Sequence, residues 1–425
     1  MEFSDVSALV SKVDVSYTMH NNKKTELFYL INSLHKGGAE RQLLTISTYL
    51  PAKILLLENV IQYDNTSDKN IIVLNKSISN TKLAKLFSFI SAAYRVLKII
   101  KQSKKNNDVI VISLLERSNI INLLVSFLTR HKAILSIRIN LDIQYKNYAF
   151  VKWFFRKFYK HAFAVTSNSA GVRNLMINNY AIPSNRAYHI PNAYNRDSII
   201  DLSNKKLNSE KLEQLIQTRS YFLSINRLDS QKNIEFQIAL IKELKKEYPE
   251  ICLIIVGDGP LRANLIRTAE TIGLKVFNSW KPTATQDISE CDIIFLGYLD
   301  NPYRLYKYSM SLLLTSDYES LPNVVIEALI CETIVVSTDC FFGPREILTW
   351  DTSYISDKVS YGEVECGILL PVIADFEKSL VDWVSYTKKI IDKEIIFGAF
   401  EANVKSKIDS YIISSVINKW ESLIK

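Results

Sequence analysis

Cysteine is scarce and scattered in this 425-residue chain. The five, Cys252, Cys291, Cys331, Cys340 and Cys366, form no CxxC pair, and no histidine lies at zinc-ligand spacing. That excludes a disulfide framework or a cysteine-built zinc site as the organising principle; buried thiols in a reducing compartment are expected instead. No apolar run approaches the ~20 residues a membrane-crossing helix needs. The opening MEFSDVSALVSKVDVSY carries acids early and has no apolar core, which argues against a secretory signal. A cytoplasmic protein is expected, soluble or at most lying on a membrane surface. Internal repeats and low-complexity segments are missing too. So are a Gly-Lys-Ser/Thr phosphate loop, a complete GxGxxG fingerprint and any nucleic-acid recognition motif, so nucleic acid is not an expected partner.

What is present is the material of a large globular protein. Hydrophobic residues make up 48 % and charged residues 23 %, and the length suits two domains better than one core. Short β-prone runs alternate with helix-like stretches. Strands are expected near 27–32, 53–57, 71–74, 109–113, 133–137 and 162–166, with helices at 81–103 and 148–160. Near residue 195 the pattern breaks into a polar stretch, 195–220, read as a linker with a short helix. It then restarts with strands near 221–225, 252–256, 292–296, 311–315 and 333–337, and helices at 233–247, 376–393 and 404–423. Strand–helix alternation means parallel sheets. The expectation is an α/β protein of two Rossmann-like halves, 25–195 and 215–375. Helices over 376–425 follow, the last returning towards the first half. Ligands belong at the C-terminal ends of the strands.

The charge is uneven. Residues 1–200 hold 27 Lys/Arg against 12 Asp/Glu, whereas the remainder is net acidic, within a total of +8. A basic half suggests an anionic partner, with nucleic acid, an anionic leaflet or a pyrophosphate-bearing acceptor as the candidates; lysine-rich coding is the plain alternative.

Four segments could carry chemistry. In Glu319-Ser-Leu-Pro-Asn-Val-Val-Ile-Glu327 a loop leads from a strand into a helix whose first amides are free and whose dipole is positive there, a site suited to phosphate. Glu319 in the loop and Glu327 one turn into the helix offer carboxylates for sugar hydroxyls on either side of that phosphate. Taken alone, both are equally well read as solvated acids. Arg227 and Lys232 follow a strand and could clamp a diphosphate leaving group; most such pairs are surface charges. Gly257-Asp-Gly-Pro260 is a glycine-rich turn before a helix, and Gly37-Gly38 is another, flanked by His35, Glu40 and Arg41.

Together, Gly37-Gly-Ala-Glu-Arg41, Arg227…Lys232-Asn233, Gly257-Asp-Gly-Pro-Leu261 and Glu319-x7-Glu327 resemble, in order and spacing, the motif set of glycosyltransferase family 4. The resemblance runs from about Leu27 to about Leu370. The stretch Thr338–Leu348 is similar to members that build O-antigen, capsule or lipid-linked glycans. The resemblance implies a GT-B fold, two Rossmann-like domains facing across a cleft. It also implies a retaining, metal-independent transfer of a hexose or N-acetylhexosamine from a nucleotide sugar, expected to be a UDP-sugar, to a glycan acceptor such as a polyprenyl-diphosphate saccharide. By the same resemblance, Arg227 and Lys232 bind the donor diphosphate, Glu327 the ribose and Glu319 the donor sugar. Ser320, Leu321, Pro322, Asn323 and Val324 offer amides nearby. Gly257, Gly259, Pro260 and the Gly297–Arg304 loop line the base pocket, and Gly37 and Gly38 approach the phosphates. Ser320 stands where many members have glycine. Arg138 stands where many have a cleft histidine, which makes Arg138, with Arg41, the acceptor-side candidate. His131 and His161 read as surface residues. A catalytically silent GT-B-like binding subunit and a sugar-nucleotide epimerase of GT-B fold are the alternatives.

The segment 148–161 is aromatic and basic. Trp153, Phe154 and Phe158 share a helical face flanked by Lys152, Arg156, Lys157 and Lys160, as in a helix lying on an anionic membrane on the inner face of the cell. Packing of those aromatics into the core is the competing reading. The helix near 81–105 ends in a second basic cluster.

Overall fold

The computed structural model describes residues 24–35, 37–63, 66, 69–75, 82–281, 287–351 and 361–425; the N-terminal stretch read above lies outside them. Its frame is two extended sheets. The first runs β1 (Lys24–Ile31), β2 (Lys53–Leu56), β3 (Ile71–Val73), β4 (Asn107–Leu114), β5 (Lys132–Ile137), β6 (Ala164–Ser167) and β7 (Ala187–His189), in the order β3-β2-β1-β4-β5-β6-β7. The second is built from β8 (Tyr221–Ile225), β9 (Cys252–Val256), β10 (Val276–Asn278), β11 (Ile293–Gly297), β12 (Ser311–Leu314), β14 (Ile334–Thr338), β16 (Gly362–Val364) and β17 (Gly367–Leu370), in the order β10-β11-β9-β8-β12-β14-β17-β16. Its pairs are parallel except β16–β17. Two short strands, β13 (Tyr318–Glu319) and β15 (Phe341–Phe342), form a separate parallel pair. The β-branched and leucine runs become the central strands because helices cover both faces of a parallel sheet; β9 is buried at every position.

Sixteen α-helices alternate with the strands among the described residues. The first six are α1 (Gly38–Tyr49), α2 (Lys82–Ser103), α3 (Glu116–Thr129), α4 (Leu141–Gln144), α5 (Ala149–Phe158) and α6 (Ala170–Tyr180). Then come α7 (Arg196–Asn204), α8 (Glu210–Thr218), α9 (Ile234–Leu244), α10 (Arg262–Thr271), α11 (Tyr303–Tyr308) and α12 (Asn323–Ile330). The last four are α13 (Gly343–Leu348), α14 (Phe376–Ile391), α15 (Glu401–Ile408) and α16 (Ile413–Ile424). The chain divides into two compact units. Unit 1 is Met1–Ser136, His161–Val165 and Asn418–Lys425; unit 2 is Ile137–Lys160 and Thr166–Ile417. Each has its own core. In unit 1, Phe28, Leu55, Val111 and Ile121 meet Ala92, Val96 and Ile100 of α2. In unit 2, strands β8, β9, β11, β12, β14 and β17 pack against the helices around them.

Three expectations change. The polar stretch 195–220 is not a linker. It forms α7 and α8, capped by Asn195 and Ser209 through bonds to Ser198 N and Leu212 N, and Ile199, Leu212, Leu215 and Ile216 enter the core of unit 2. The apolar residues are sparse there, but they share one face of each helix, which suffices for docking. The helix expected over 404–423 is broken in two. Tyr194 takes the backbone bonds of the break, donating to Tyr411 O and accepting from Ile413 N, each at 3.0 Å. His131 is buried, not on the surface. Its ring meets Thr129 Oγ1 at 2.6 Å and Asn122 Oδ1 at 2.8 Å, and burial, helped by Lys104, lowers it to about 4, so it is neutral. All five cysteines are buried and free, as their scatter suggests.

A candidate nucleotide-sugar site in unit 2

Unit 2 brings two distant segments together. After β8 the chain passes Asn226 and Arg227, makes a 3₁₀ turn at Ser230–Lys232 and enters α9. This turn is fastened to the segment between β12 and α12. Thr315 Oγ1 donates to Lys232 O at 2.7 Å, Asp317 N to Gln231 O at 2.9 Å, and Asn233 Nδ2 to Asp317 Oδ1 at 2.6 Å. Asn233 itself has φ 49°, a left-handed value that asparagine tolerates. The result is that Lys232 Nζ lies 2.5 Å from Glu319 Oε1, with both side chains largely withdrawn from water (15 % and 11 % exposed). Ser316, fully buried, donates to the same oxygen at 2.9 Å.

Glu319 is therefore not on a free loop. It belongs to β13, whose partner residue in β15 is Phe342. Phe342 has φ 80° and ψ −85°, a conformation a bulky residue adopts only when its surroundings impose it. Beyond Glu319 the chain runs through Ser320 to Pro322 into α12, whose first turn carries no side-chain cap. Its amides and dipole keep the anion-binding character expected from the sequence. Ser320 Oγ donates to Asn168 Oδ1 at 2.6 Å, and Leu321 and Pro322 are buried. Asn323 Oδ1 accepts from Asn192 Nδ2 at 2.6 Å and from Tyr194 Oη. Asn192 in turn accepts from Arg138 Nη1 at 2.6 Å. Arg138 is thus buried, and joined through Asn192 to the first residue of α12.

Arg227 points outward, 72 % exposed, with Asp229 Oδ2 3.7 Å from its Nε. Glu327 is 3 % exposed and accepts from Tyr306 Oη at 3.3 Å. The glycine turn serves backbone packing. Gly257 has φ 127°, and a Cβ there would lie 1.9 Å from Asn226 O; one at Gly259 would lie 2.4 Å from Leu228 O. Asn226 N donates to Val256 O and Leu228 N to Asp258 O, so the turn clamps both sides of Arg227. Pro260 is exposed beside it. Arg304 closes the Gly297–Arg304 loop expected beside the base. It is buried against Glu213, and it also donates to Ser203 O and Asn204 O; the Arg304 hydrogen bond holds Glu213 down to about 2.

Gly37 and Gly38 lie in unit 1, at the start of α1. Gly37 is extended (φ −131°) and its carbonyl accepts from Tyr63 Oη at 3.1 Å. Arg41 sits half-buried in α1. On α5, Trp153 is exposed, but Phe154 and Phe158 are half-buried and pack on each other at 4.7 Å between centroids. Sequence reasoning missed Ser316, Asn168, Asn192 and Tyr194. Lone polar residues carry no spacing signal; only the fold reveals what they touch.

The sequence and the fold both have relatives. Residues 205–359, which contain Arg227, Lys232, Glu319 and Glu327, match the family model described as glycosyl transferases group 1. An uncharacterised glycosyltransferase of Methanocaldococcus jannaschii is 28 % identical over 84 % of this chain and 88 % of its own length. A Campylobacter jejuni enzyme named as an N-acetylgalactosamine-N,N'-diacetylbacillosaminyl-diphospho-undecaprenol 4-alpha-N-acetylgalactosaminyltransferase is 24 % identical over 91 % of this chain and 95 % of its own. Among solved structures, Anabaena HepE in complex with UDP and glucose superposes with a TM-score of 0.69 at 16 % identity, covering 93 % of this chain and 98 % of that one. Sucrose-phosphate synthase of Thermosynechococcus elongatus gives 0.68 at 14 %, covering 94 % and 98 %. The fold is GT-B, and the chain carries its candidate site inside a segment that matches the group 1 glycosyl transferases, with glycosyltransferases as relatives along most of its length.

Proposed function

We propose that this protein is a retaining glycosyltransferase that moves a hexose or N-acetylhexosamine from a UDP-sugar to a polyprenyl-diphosphate-linked saccharide in surface polysaccharide synthesis, without a metal. The observation that carries the reading is the Lys232–Glu319 contact beside the uncapped start of α12, inside the group 1 segment. Arg227 and Lys232 hold the donor diphosphate and neutralise the charge that grows on it as it leaves. Glu319, fixed by Lys232 and Ser316, accepts from hydroxyls of the transferred sugar. Glu327 faces the ribose, and the amides of Ser320 to Val324 meet the phosphate. The acceptor oxygen bonds to the anomeric carbon on the face from which the diphosphate oxygen departs, and the acceptor proton passes to that leaving phosphate. The diphospho-undecaprenol in the Campylobacter relative's name supports a lipid-linked acceptor. The UDP bound to HepE supports the base. Such an acceptor would bring the protein to the inner face of the membrane as a peripheral enzyme.

A thermal-shift panel of UDP-, GDP-, ADP- and CMP-sugars, with and without EDTA, tests this, since a bound ligand raises apparent stability by mass action. UDP-sugars should raise the midpoint in both conditions. Arg227→Ala should weaken free UDP roughly tenfold while the unliganded midpoint stays put, because the side chain is exposed. A protein indifferent to every nucleotide sugar would end the proposal.

A further inference from the structure

Helix α2 is apolar around more of its circumference than its own domain covers. Ala92, Val96 and Ile100 turn inward onto the core of unit 1, with Phe89 and Leu97 packed beside them. Leu86, Phe87, Ile90 and Tyr94 face solvent, each 55–70 % exposed. At 100° per residue these four and the exposed Lys98 and Lys101 fall within an arc of about 120°. A surface helix needs one apolar face to dock on its domain; a second, contiguous one marks a binding surface. The platform is preformed. Asn75 Nδ2 donates to Ser88 O and Oγ at 2.9 Å, and Arg95 donates to Leu74 O, which fixes the helix against the chain beyond β3.

Charge identifies the occupant. Residues 82–103 contain five Lys/Arg and no Asp or Glu. A second copy of the chain laid on this face would set Lys98 and Lys101 against a helix that offers no acid to pair with them. An anionic bilayer satisfies both features at once, taking the apolar side chains at its headgroup–acyl boundary and the lysines at its phosphates.

We propose that α2 is the face by which unit 1 docks on an anionic lipid bilayer, with Leu86, Phe87, Ile90 and Tyr94 entering the interface and Lys98 and Lys101 lying on lipid phosphates. This assignment stands on unit 1 alone and is independent of the donor site in unit 2. Flotation of the full chain tests it, using phosphatidylcholine vesicles with and without about 30 % phosphatidylglycerol. The protein should float with the anionic vesicles at low salt and be released at high salt. Replacing Leu86, Phe87, Ile90 and Tyr94 together by Ser should reduce binding tenfold or more. Lys98→Glu with Lys101→Glu should do the same without touching the apolar residues. Circular dichroism and nucleotide-sugar thermal shifts of both variants should match wild type, which keeps failure here separate from failure of the donor reading. Three results would overturn the proposal: no flotation of the wild type with anionic vesicles, wild-type flotation of the charge-reversed variant, or capture by polyglutamate without vesicle binding, which would give the face to an acidic protein. Concentration-dependent dimerisation abolished by the Ser variant would give it to a second copy and overturn the proposal as well.

Discussion

Lys232→Met tests the centre of the candidate site. The substitution keeps the length of the side chain and removes the ammonium 2.5 Å from Glu319 Oε1. Glu319 is then a largely buried carboxylate with the Ser316 hydroxyl as its remaining support in the contact described above. Removing one partner of a buried ion pair costs about 3–5 kcal/mol, chiefly because the other charge is stranded. Both side chains keep some water contact, so the low end, about 3 kcal/mol, is expected here. At the low end of the usual scaling, ~2 °C per kcal/mol for a large domain, calorimetry should place the unit 2 transition about 6 °C lower. Glu319→Gln should cost less, about 1–2 kcal/mol, because the amide oxygen can still accept from Lys232. The double variant strands no charge, so the cycle should close with a coupling of about 1.5–2.5 kcal/mol. Additivity within about 0.5 kcal/mol would show that the two groups do not meet in solution. Each single variant should also lose sugar transfer, and normal turnover by Glu319→Gln would remove that carboxylate from the chemistry.

Other positions make sharp demands. Gly257→Ala forces a Cβ to within 1.9 Å of Asn226 O at a φ of 127° that side chains rarely adopt. It should destabilise unit 2 by about 3 kcal/mol or more and weaken UDP binding by displacing Arg227; a soluble variant with wild-type melting and affinity would show that the glycine turn does not position that arginine. In unit 1, burial raises the Glu116 carboxyl at the start of α3 from 4.5 to about 7. Between those values the folded state keeps a proton that the unfolded chain has lost, so stability from this group falls as pH rises from about 4.5 to about 7 and stays low above that. Glu116→Gln removes the penalty. Melting at pH 8 should therefore show a gain of roughly 1–3 kcal/mol that vanishes near pH 4.5, and equal gains at both pH values would refute the buried-carboxyl account.

The sequence alone determined the repeating grammar of the fold. Runs such as Cys252–Val256 are short, rich in β-branched residues and apolar at every position, as a strand covered on both faces requires, and their alternation with helices argues for parallel sheets. It also marked Arg227, Lys232, Glu319 and Glu327 as candidates, through motifs whose order and spacing resemble glycosyltransferase family 4; position after a strand did not by itself separate them from surface charges. Polar segments misled it. The stretch 195–220 looked like a linker because its few apolar residues are spread along the sequence, although they line up once helices form. Tertiary structure alone decided which partner each charge has. Arg304 and Arg227 are alike in sequence, yet one is neutralised inside the core by Glu213 and the other is left open to a ligand. Ser316 became part of the site only when the turn at Ser230–Lys232 was fastened across to Thr315 and Asp317. Periodicity is a local property and can be read along the chain. A hydrogen bond between residues 87 positions apart, such as that from Lys232 to Glu319, depends on how two strands sit side by side.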